Sequence, residues 1–187
     1  MEFILASQSP RRRELLTLLE IPFICESPDI EEVIDGSLPL TQAIEQLAVQ
    51  KAQAVAHKHP DALIISADTI VVYQNHILGK PKDDEEAKGM LKLLSGQSHD
   101  VITAVCLYHN SKVETFHSVT QVEFYPLSQA VIEAYIQSHQ PLDKAGAYGI
   151  QDKGALLIKQ IKGDYYTVMG LPIALLNLKL KAFLETF

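Results

Sequence analysis

Along the chain, short apolar runs alternate with segments in which apolar residues have helical spacing. This order is typical of α/β proteins. Apolar residues 3–6 predict a short buried strand, and a helix is expected to follow at about residues 10–19. Ser9 is a suitable N-cap for that helix, and Pro10 suits its first position because no backbone N–H is needed there. A second helix is predicted at about residues 41–57, where apolar side chains recur every three or four positions.

Turn and cap residues mark the boundaries of the later elements. Gln74–Asn75 between two β-rich runs predicts a hairpin, and Asp83 or Asp84 can cap a helix that ends at Ser95–Gly96. Further strands are predicted at 62–65, 69–73, 76–78, 101–108, 113–124, 155–161 and 165–169, the last two as a hairpin around Gly163–Asp164. Further helices are predicted at 128–138 and 171–187. We therefore expect an α/β fold in one domain, residues 1–187, with two lobes.

The charge balance is acidic: 16 Lys and Arg residues against 23 Asp and Glu residues give a net charge of −7. Such a chain repels polyanions, so a general nucleic-acid-binding surface is not expected. A small anionic substrate would require that a local cluster of cations, or a metal ion, reverse the field within one pocket. The composition, 47% hydrophobic and 21% charged, excludes a disordered or collagen-like chain.

No segment of the sequence predicts a membrane span. The longest charge-free stretch, 165–178, contains Gly170 and Pro172 and is shorter than the about 20 residues that cross a bilayer. Cys25 and Cys106 are far apart and have apolar neighbours, which predicts two reduced core thiols rather than a disulfide or a metal site. The expected location is therefore the cytoplasm, with no membrane partner.

The first predicted helix begins with three arginines, which is unusual for that position. A helix N-terminus carries a partial positive charge and favours Asp or Glu in its first turn. Here that turn is Pro10-Arg11-Arg12-Arg13. One interpretation is an anion site that uses the arginines together with the free backbone N–H groups. The other is an exposed helix start whose arginines pair with surface acids.

Asp68 and Lys51 are charged residues in apolar surroundings. Asp68 lies within the β-rich run 63–72, where a buried carboxylate is costly unless it is paired, hydrogen-bonded or bound to metal. It could serve there as a general base or a metal ligand, or it could cap a turn between two strands. Lys51 lies on the apolar face of the second helix, so its ammonium either points inward or extends past that face to solvent.

Two loops carry further candidates. Lys80 follows Gly79 after the predicted hairpin, and by itself it is an ordinary loop lysine. The loop 143–151 mixes small residues with Gln151, whose paired donor and acceptor can recognise a base edge or a sugar. A compact structural loop is the equal alternative. Glu31–Glu32 falls in a segment predicted to be irregular, where adjacent carboxylates are usually solvated.

The order of short motifs along the chain resembles the Maf family of nucleoside triphosphate pyrophosphatases. The matching segments are LASQSPRRRELL (5–16), DIEE (29–32), QKA (50–52), SADTIV (66–71), LGKP (78–81), LSGQSHDVITAV (94–105), PLDKAGAYGIQ (141–151) and GDYYTVMGLP (163–172). The combination of SPRR, ADT and AGAYGIQ is similar to the subfamily that hydrolyses dTTP and UTP, rather than the one that prefers 7-methyl-GTP.

The resemblance implies an inosine-triphosphatase-like α/β fold, with a long mixed sheet flanked by helices and a central cleft between two lobes. It also implies a reaction, the attack of water on the α-phosphorus of a nucleoside triphosphate. The products would be the nucleoside monophosphate and pyrophosphate, and modified pyrimidine nucleotides would be further substrates. The alternative from the same family is a nucleotide-binding regulator of cell division or septum formation, without significant catalysis.

The resemblance assigns roles to residues at matching motif positions. Asp68 is the implied proton acceptor, and Asp68 and Glu32 are the implied metal ligands. The implied catalytic residues are Asp68, Lys51, Lys80 and Glu32. The implied phosphate-binding residues are Ser7, Ser9, Arg11, Arg12, Lys51 and Lys80, and those implied in substrate choice are Arg11, Thr69 and Gln151. The expected cofactor is Mg²⁺ or Mn²⁺, because hard cations share carboxylates with substrate phosphates. A homodimer follows only from analogy with the family.

Overall fold

Strands and helices alternate along residues 1–138 and 141–187, the part of the chain that the computed structural model describes. The helices are α1 (Pro10–Thr17), α2 (Leu40–Ala56), α3 (Asp84–Leu94), α4 (Gln129–Ile136), α5 (Tyr165–Met169) and α6 (Ile173–Leu184). The strands are β1 (Phe3–Leu5), β2 (Ile24–Cys25), β3 (Leu63–Tyr73), β4 (His76–Leu78), β5 (Ser98–His109), β6 (Lys112–Phe124) and β7 (Ile158–Lys162). Two 3-10 helices, Ala145–Ala147 and Asp152–Leu157, precede β7.

The described strands form one mixed sheet with the order β2-β1-β3-β5-β6-β7, in which β4 pairs with β3. β1 is parallel to both of its neighbours, with Ile4 opposite Ile24 on one side and Ile64 on the other. β4 is antiparallel to β3, and β7 is antiparallel to β6. The sheet and its helices confirm the predicted α/β class with a mixed sheet flanked by helices.

Two tight turns that follow long strands have their central residues in the left-handed region of the backbone. Gln74 and Asn75 have φ angles of 49° and 66°, and Asn110 and Ser111 have φ angles of 47° and 64°. Positive φ at both central positions is the geometry of a type I′ turn, whose twist matches that of the flanking strands. The hairpin predicted at Gln74–Asn75 is confirmed, since β3 and β4 pair antiparallel on either side of it.

The chain divides into two compact units, of which unit 1 comprises Met1–Asp68, Thr103–Ser118 and Gly170–Phe187. Its core contains β1, the first part of β3 and the buried face of α2. Ile44 and Leu47 on that face are exposed by no more than 2%. The helical spacing that predicted α2 thus corresponds to a face that is packed in the core.

Unit 2 comprises Thr69–Ile102 and Val119–Met169. The buried faces of α3 and α4 pack there with a group of aromatic side chains that includes Phe124 and Tyr148. Gly146 has a φ of 69°, and a Cβ at this position would lie 2.9 Å from a methyl group of Val71. Glycine is therefore required there by both conformation and space. The single domain predicted for residues 1–187 stays a prediction.

The prediction of two separate strands at 62–65 and 69–73 is wrong, because β3 is continuous through Asp68. Polar groups in the middle of this strand have partners, so their burial is tolerated. The Ser66 hydroxyl donates a hydrogen bond of 2.6 Å to the carbonyl oxygen of Ala48 on α2. Asp68 pairs with Lys51 from the same helix. Partners that lie on another element allow the strand to run on without a turn.

The predicted hairpin of 155–161 and 165–169 is also wrong, because Tyr165–Met169 is helix α5 and only β7 is a strand. The Asp164 carboxylate accepts hydrogen bonds of 2.8 Å from the backbone N–H and from the hydroxyl of Thr167. Such a contact satisfies an N–H group that a helix start leaves open. The capping contact and the burial of Thr167 together outweigh the β propensity of residues Tyr165–Met169.

Two further expectations can be compared with the structure. Among the described residues, no helix combines the length and apolar character needed to cross a membrane. Both cysteines are free, as predicted, and Cys106 is buried. Cys25 is exposed rather than part of the core, because its two-residue strand lies at the edge of the sheet. The predicted cytoplasmic location and the homodimer stay predictions.

Two glycines of unit 2 offer a matched test of packing. Gly89 in α3 has open space at its Cβ position, whereas a Cβ on Gly154 would lie 1.8 Å from the carbonyl oxygen of Gly149. We expect Gly89→Ala to stabilise the protein by about 0.5–1 kcal/mol through lower backbone entropy of the unfolded chain. Gly154→Ala should destabilise it by about 1–3 kcal/mol through overpacking. Thermal unfolding measures both, and equal effects of the two substitutions would contradict the packing around Gly154.

Candidate functional site

The start of α1 is built from side chains that bond to one another. The Ser9 hydroxyl caps the helix by accepting from the backbone N–H of Arg12, at 3.4 Å. The Ser7 hydroxyl accepts from the Ser9 N–H at 3.2 Å and from Nη1 of Arg12 at 3.4 Å. Nε of Arg12 donates a 2.8 Å hydrogen bond to the carbonyl oxygen of Gly170. The guanidinium of Arg12 is therefore fixed beside the helix N-terminus.

Charges of both signs act on the Arg12 guanidinium. Burial lowers the pKa of the Arg12 guanidinium, while the negative charge of Asp68 raises it. The positive charge of Arg11 lowers the same pKa, and the charge of Glu32 raises it. The first turn of α1 contains no acidic residue, so its partial positive charge adds to that of the arginines.

Lys51 points into unit 1 rather than out to solvent, with only 4% of its surface exposed. Its Nζ contacts Oδ1 of Asp68, and it lies 2.8 Å from Oε1 of Glu32. Asp68 is itself buried, whereas the Glu32 side chain is 52% exposed. Of the alternatives that the sequence left open, the inward orientation of Lys51 and the paired, buried carboxylate of Asp68 are the ones observed.

Ser7, Arg12, Glu32, Lys51 and Asp68 are called the Lys51 cluster below. Three separate parts of unit 1 contribute to it: the start of α1, the irregular segment before α2, and the pair of α2 and β3. The guanidinium of Arg12 and the ammonium of Lys51 are cations suited to phosphate oxygens. The carboxylates of Asp68 and Glu32 are suited to a hard divalent cation or to the proton of a water molecule.

Of the predicted site residues outside the cluster, Ser9 and Arg11 lie in unit 1 at the start of α1, and the other three lie in unit 2. Thr69 directly follows Asp68 along β3, so their side chains point to opposite faces of the sheet. Lys80 is exposed in the loop between β4 and α3, and Gln151 is half-buried immediately before the second 3-10 helix. The roles assigned to these three residues stay predictions.

One contact of the candidate site was not predicted from the sequence, namely the hydrogen bond from Arg12 to the carbonyl oxygen of Gly170. The two residues are 158 positions apart. The acceptor is a backbone carbonyl, which every residue has, so the pattern of side chains does not indicate it. The only available signal was the segment GDYYTVMGLP, which ends near this glycine.

The burial of Lys51 generates a stability prediction. Lys51→Met leaves the buried carboxylate of Asp68 without its direct partner, so we expect a loss of about 3 kcal/mol in the free energy of unfolding. Asp68→Asn in the same chain removes the stranded charge, and the double variant should be more stable than Lys51→Met alone. Urea unfolding measures both.

The matched control is Lys58→Met, which removes a mostly exposed lysine that pairs with Glu26. We expect it to change the free energy of unfolding by less than about 1 kcal/mol, because exposed ion pairs contribute little. A double variant no more stable than Lys51→Met would show that the Asp68 carboxylate does not depend on this ammonium.

Comparison with known proteins places the chain among its relatives. Among solved structures it is similar to the Ham1 protein of Staphylococcus aureus, with a TM-score of 0.48 and 16% identity over 67% of this chain and 73% of that chain. It is 53% identical to the dTTP/UTP pyrophosphatase of Halalkalibacterium halodurans, over 91% of this chain and 90% of the relative.

A second relative is the dTTP/UTP pyrophosphatase of Bacillus velezensis, to which the chain is 52% identical over 96% of its length and 95% of the relative. The sequence profile of the family described as Maf-like protein matches residues 2–183. The match covers α1 with its arginines and every member of the Lys51 cluster. The chain therefore belongs to the Maf family.

Proposed function

We propose that this chain is a nucleoside triphosphate pyrophosphatase that hydrolyses dTTP and UTP, and modified pyrimidine nucleotides of the same kind. The observation that carries the proposal is the Lys51 cluster, in which a buried lysine holds two carboxylates beside an arginine-bearing helix start. Relatives that are about 50% identical to this chain are named dTTP/UTP pyrophosphatases. The alternative of a nucleotide-binding regulator without catalysis is not favoured, because these relatives are named as enzymes.

The reaction places negative charge on phosphoryl oxygens, and the cluster supplies cations to stabilise it. Water attacks the α-phosphorus, a new phosphorus–oxygen bond forms, and the bond to the bridging oxygen of the β-phosphate breaks. Pyrophosphate leaves with the electron pair of that bond. Asp68 accepts the proton of the attacking water, and Arg12 and Lys51 stabilise charge on the phosphoryl oxygens.

A divalent cation fits the donors that the cluster offers. Asp68 and Glu32 present hard carboxylate oxygens around the same Lys51 nitrogen. The described residues contain no group of three or more His, Cys, Asp and Glu side chains that could hold a metal. A site of two carboxylates completed by substrate phosphates and water is the usual arrangement for Mg²⁺. We therefore propose Mg²⁺, with Mn²⁺ as a substitute, held by Asp68 and Glu32 and neutralising phosphate charge.

Residues outside the cluster complete the proposal. Ser7, Ser9 and the backbone N–H groups at the start of α1 suit phosphate oxygens, since a helix N-terminus favours anions. Lys80 is proposed as a further phosphate-binding cation. Arg11, Thr69 and Gln151 are proposed to select the nucleotide.

Product analysis over a nucleotide panel tests the activity. The purified chain is incubated with dTTP, UTP, CTP, ATP and GTP in the presence of Mg²⁺, Mn²⁺ or excess EDTA, and the products are separated by ion exchange. We expect dTMP or UMP together with pyrophosphate, and no reaction in EDTA. Release of orthophosphate would indicate cleavage at another bond and would overturn the proposal.

Substitution of the carboxylates tests the mechanism. We expect Asp68→Asn to lower kcat by about 10²–10⁴, the usual contribution of a general base. Glu32→Gln should mainly raise the Mg²⁺ concentration needed for half-maximal rate. The control is Asp61→Asn, which changes an exposed carboxylate of unit 1 and should leave the rate unchanged. An Asp68→Asn variant that folds and keeps most of its activity would refute the role as base.

A further inference from the structure

His99 is a buried histidine for which the proposed reaction provides no role. It lies on β5 within unit 2, and 3% of its surface is exposed. Its Nε2 is 2.6 Å from the hydroxyl oxygen of Tyr148. Its Nδ1 has no hydrogen-bond partner among the described residues. Buried polar atoms nearly always have hydrogen-bond partners, so a buried ring with one unpaired nitrogen is unusual and suggests a specific role.

His99, Tyr148 and Phe124 form a buried group of three mutually packed aromatic rings. The His99 ring meets Phe124 at 5.1 Å and Tyr148 at 5.3 Å between centroids, and Phe124 meets Tyr148 at 4.7 Å, all edge to face. Burial lowers the pKa of His99 to about 4 and raises that of the Tyr148 phenol. Both groups are therefore neutral at neutral pH, and in either tautomer Nε2 and the phenol share one hydrogen bond.

Tyr148 belongs to the segment Ala145–Gln151, which we call the Tyr148 segment. Its backbone is tied at two further points: the Gly149 N–H donates to the Tyr135 hydroxyl at 3.2 Å, and the Gly146 N–H donates to the Gly79 carbonyl oxygen at 3.0 Å. The second contact joins the segment to the residue before Lys80. The segment ends at Gln151, so its shape fixes the position of that residue.

The Tyr148 segment also contains a backbone conformation that needs external support. Ala147 has a φ of 63° and is fully buried. An L residue other than glycine rarely adopts the left-handed region, and such a residue persists only where surrounding contacts enforce it. The hydrogen bond from the adjacent Tyr148 to His99 is such a contact.

We propose that His99 is a positioning residue for nucleotide selection: through Tyr148 it fixes the Tyr148 segment and thereby the side chain of Gln151. The proposal rests on the proposed function, in which Gln151 selects the base. His99 touches neither substrate nor reacting atoms in this role. Its effect is on KM and on the choice among nucleotides rather than on the chemical step.

The experiment removes the hydrogen bond from either side. His99→Phe and Tyr148→Phe keep an aromatic ring at each position and delete one partner, and the double variant deletes both. His99→Gln places an amide at about the position of Nε2 and should preserve the bond. The control is Tyr125→Phe, which alters an exposed phenol of the same unit.

Two measurements are made on each variant: kcat and KM for dTTP, UTP and GTP, and hydrogen–deuterium exchange of the Tyr148 segment. We expect either single Phe variant to raise KM for dTTP by about tenfold, with kcat within about twofold, since lost uniform binding appears in KM. The preference for dTTP over GTP should fall similarly, and exchange in the segment should accelerate. The double variant should be no worse than either single one, and His99→Gln and Tyr125→Phe should resemble the wild type.

A purely structural role gives a different result. If the Phe variants unfold at lower temperature but keep the wild-type KM and nucleotide preference, the positioning role is overturned. Unchanged hydrogen exchange in both variants also overturns it. A wild-type chain that releases no pyrophosphate from any nucleotide refutes the proposed function itself. In that case faster exchange in the variants still identifies the contact as the support of the segment, and the role in selection is rejected.

Discussion

The buried ammonium of Lys51 is the constraint on which the site depends. A charge with 4% exposure is tolerated only with partners close by, and here Asp68 and Glu32 provide them. The hydrogen bond from Ser66 to Ala48 fixes α2 on β3 one turn before Lys51, so the ammonium reaches the middle of the strand. The segment that carries Glu32 has no regular structure, and its carboxylate contacts the same ammonium.

The protein has a net charge of −7, yet its candidate site brings cations together at one point. Arg12 is restrained by Ser7 and by the carbonyl oxygen of Gly170, and it stands at a helix end that is itself electropositive. Restraint of this kind has a physical benefit, because an oriented guanidinium does not need to reorganise when charge develops on a phosphate. The Tyr148 segment is restrained in a comparable way, by hydrogen bonds of the buried Tyr148 and Tyr135 hydroxyls to His99 and to the Gly149 N–H.

Most of the fold could be predicted from the sequence where local chemistry decides the structure. The cap of α1 by Ser9, the cap of α3 by Asp83 and the turn at Gln74–Asn75 were all expected and observed. The failures were at places where a contact from elsewhere prevails. β3 continues through Asp68 because Lys51 neutralises it, and α5 forms because Asp164 caps its first turn. The strand propensity of the local sequence contains no information about either contact.

The sequence by itself determined the α/β class, the misplaced arginines at the first helix, the inward stripe that contains Lys51, and the motif order that resembles the Maf family. Each of these features depends on residues that are close together in the sequence or on the periodic spacing of apolar residues. Only the tertiary structure decided which polar groups meet: Lys51 with Asp68 across 17 positions, Arg12 with Gly170 across 158, and His99 with Tyr148 across 49. Such pairs form because elements distant in the chain pack together, and burial then requires each polar group to find a partner at short range.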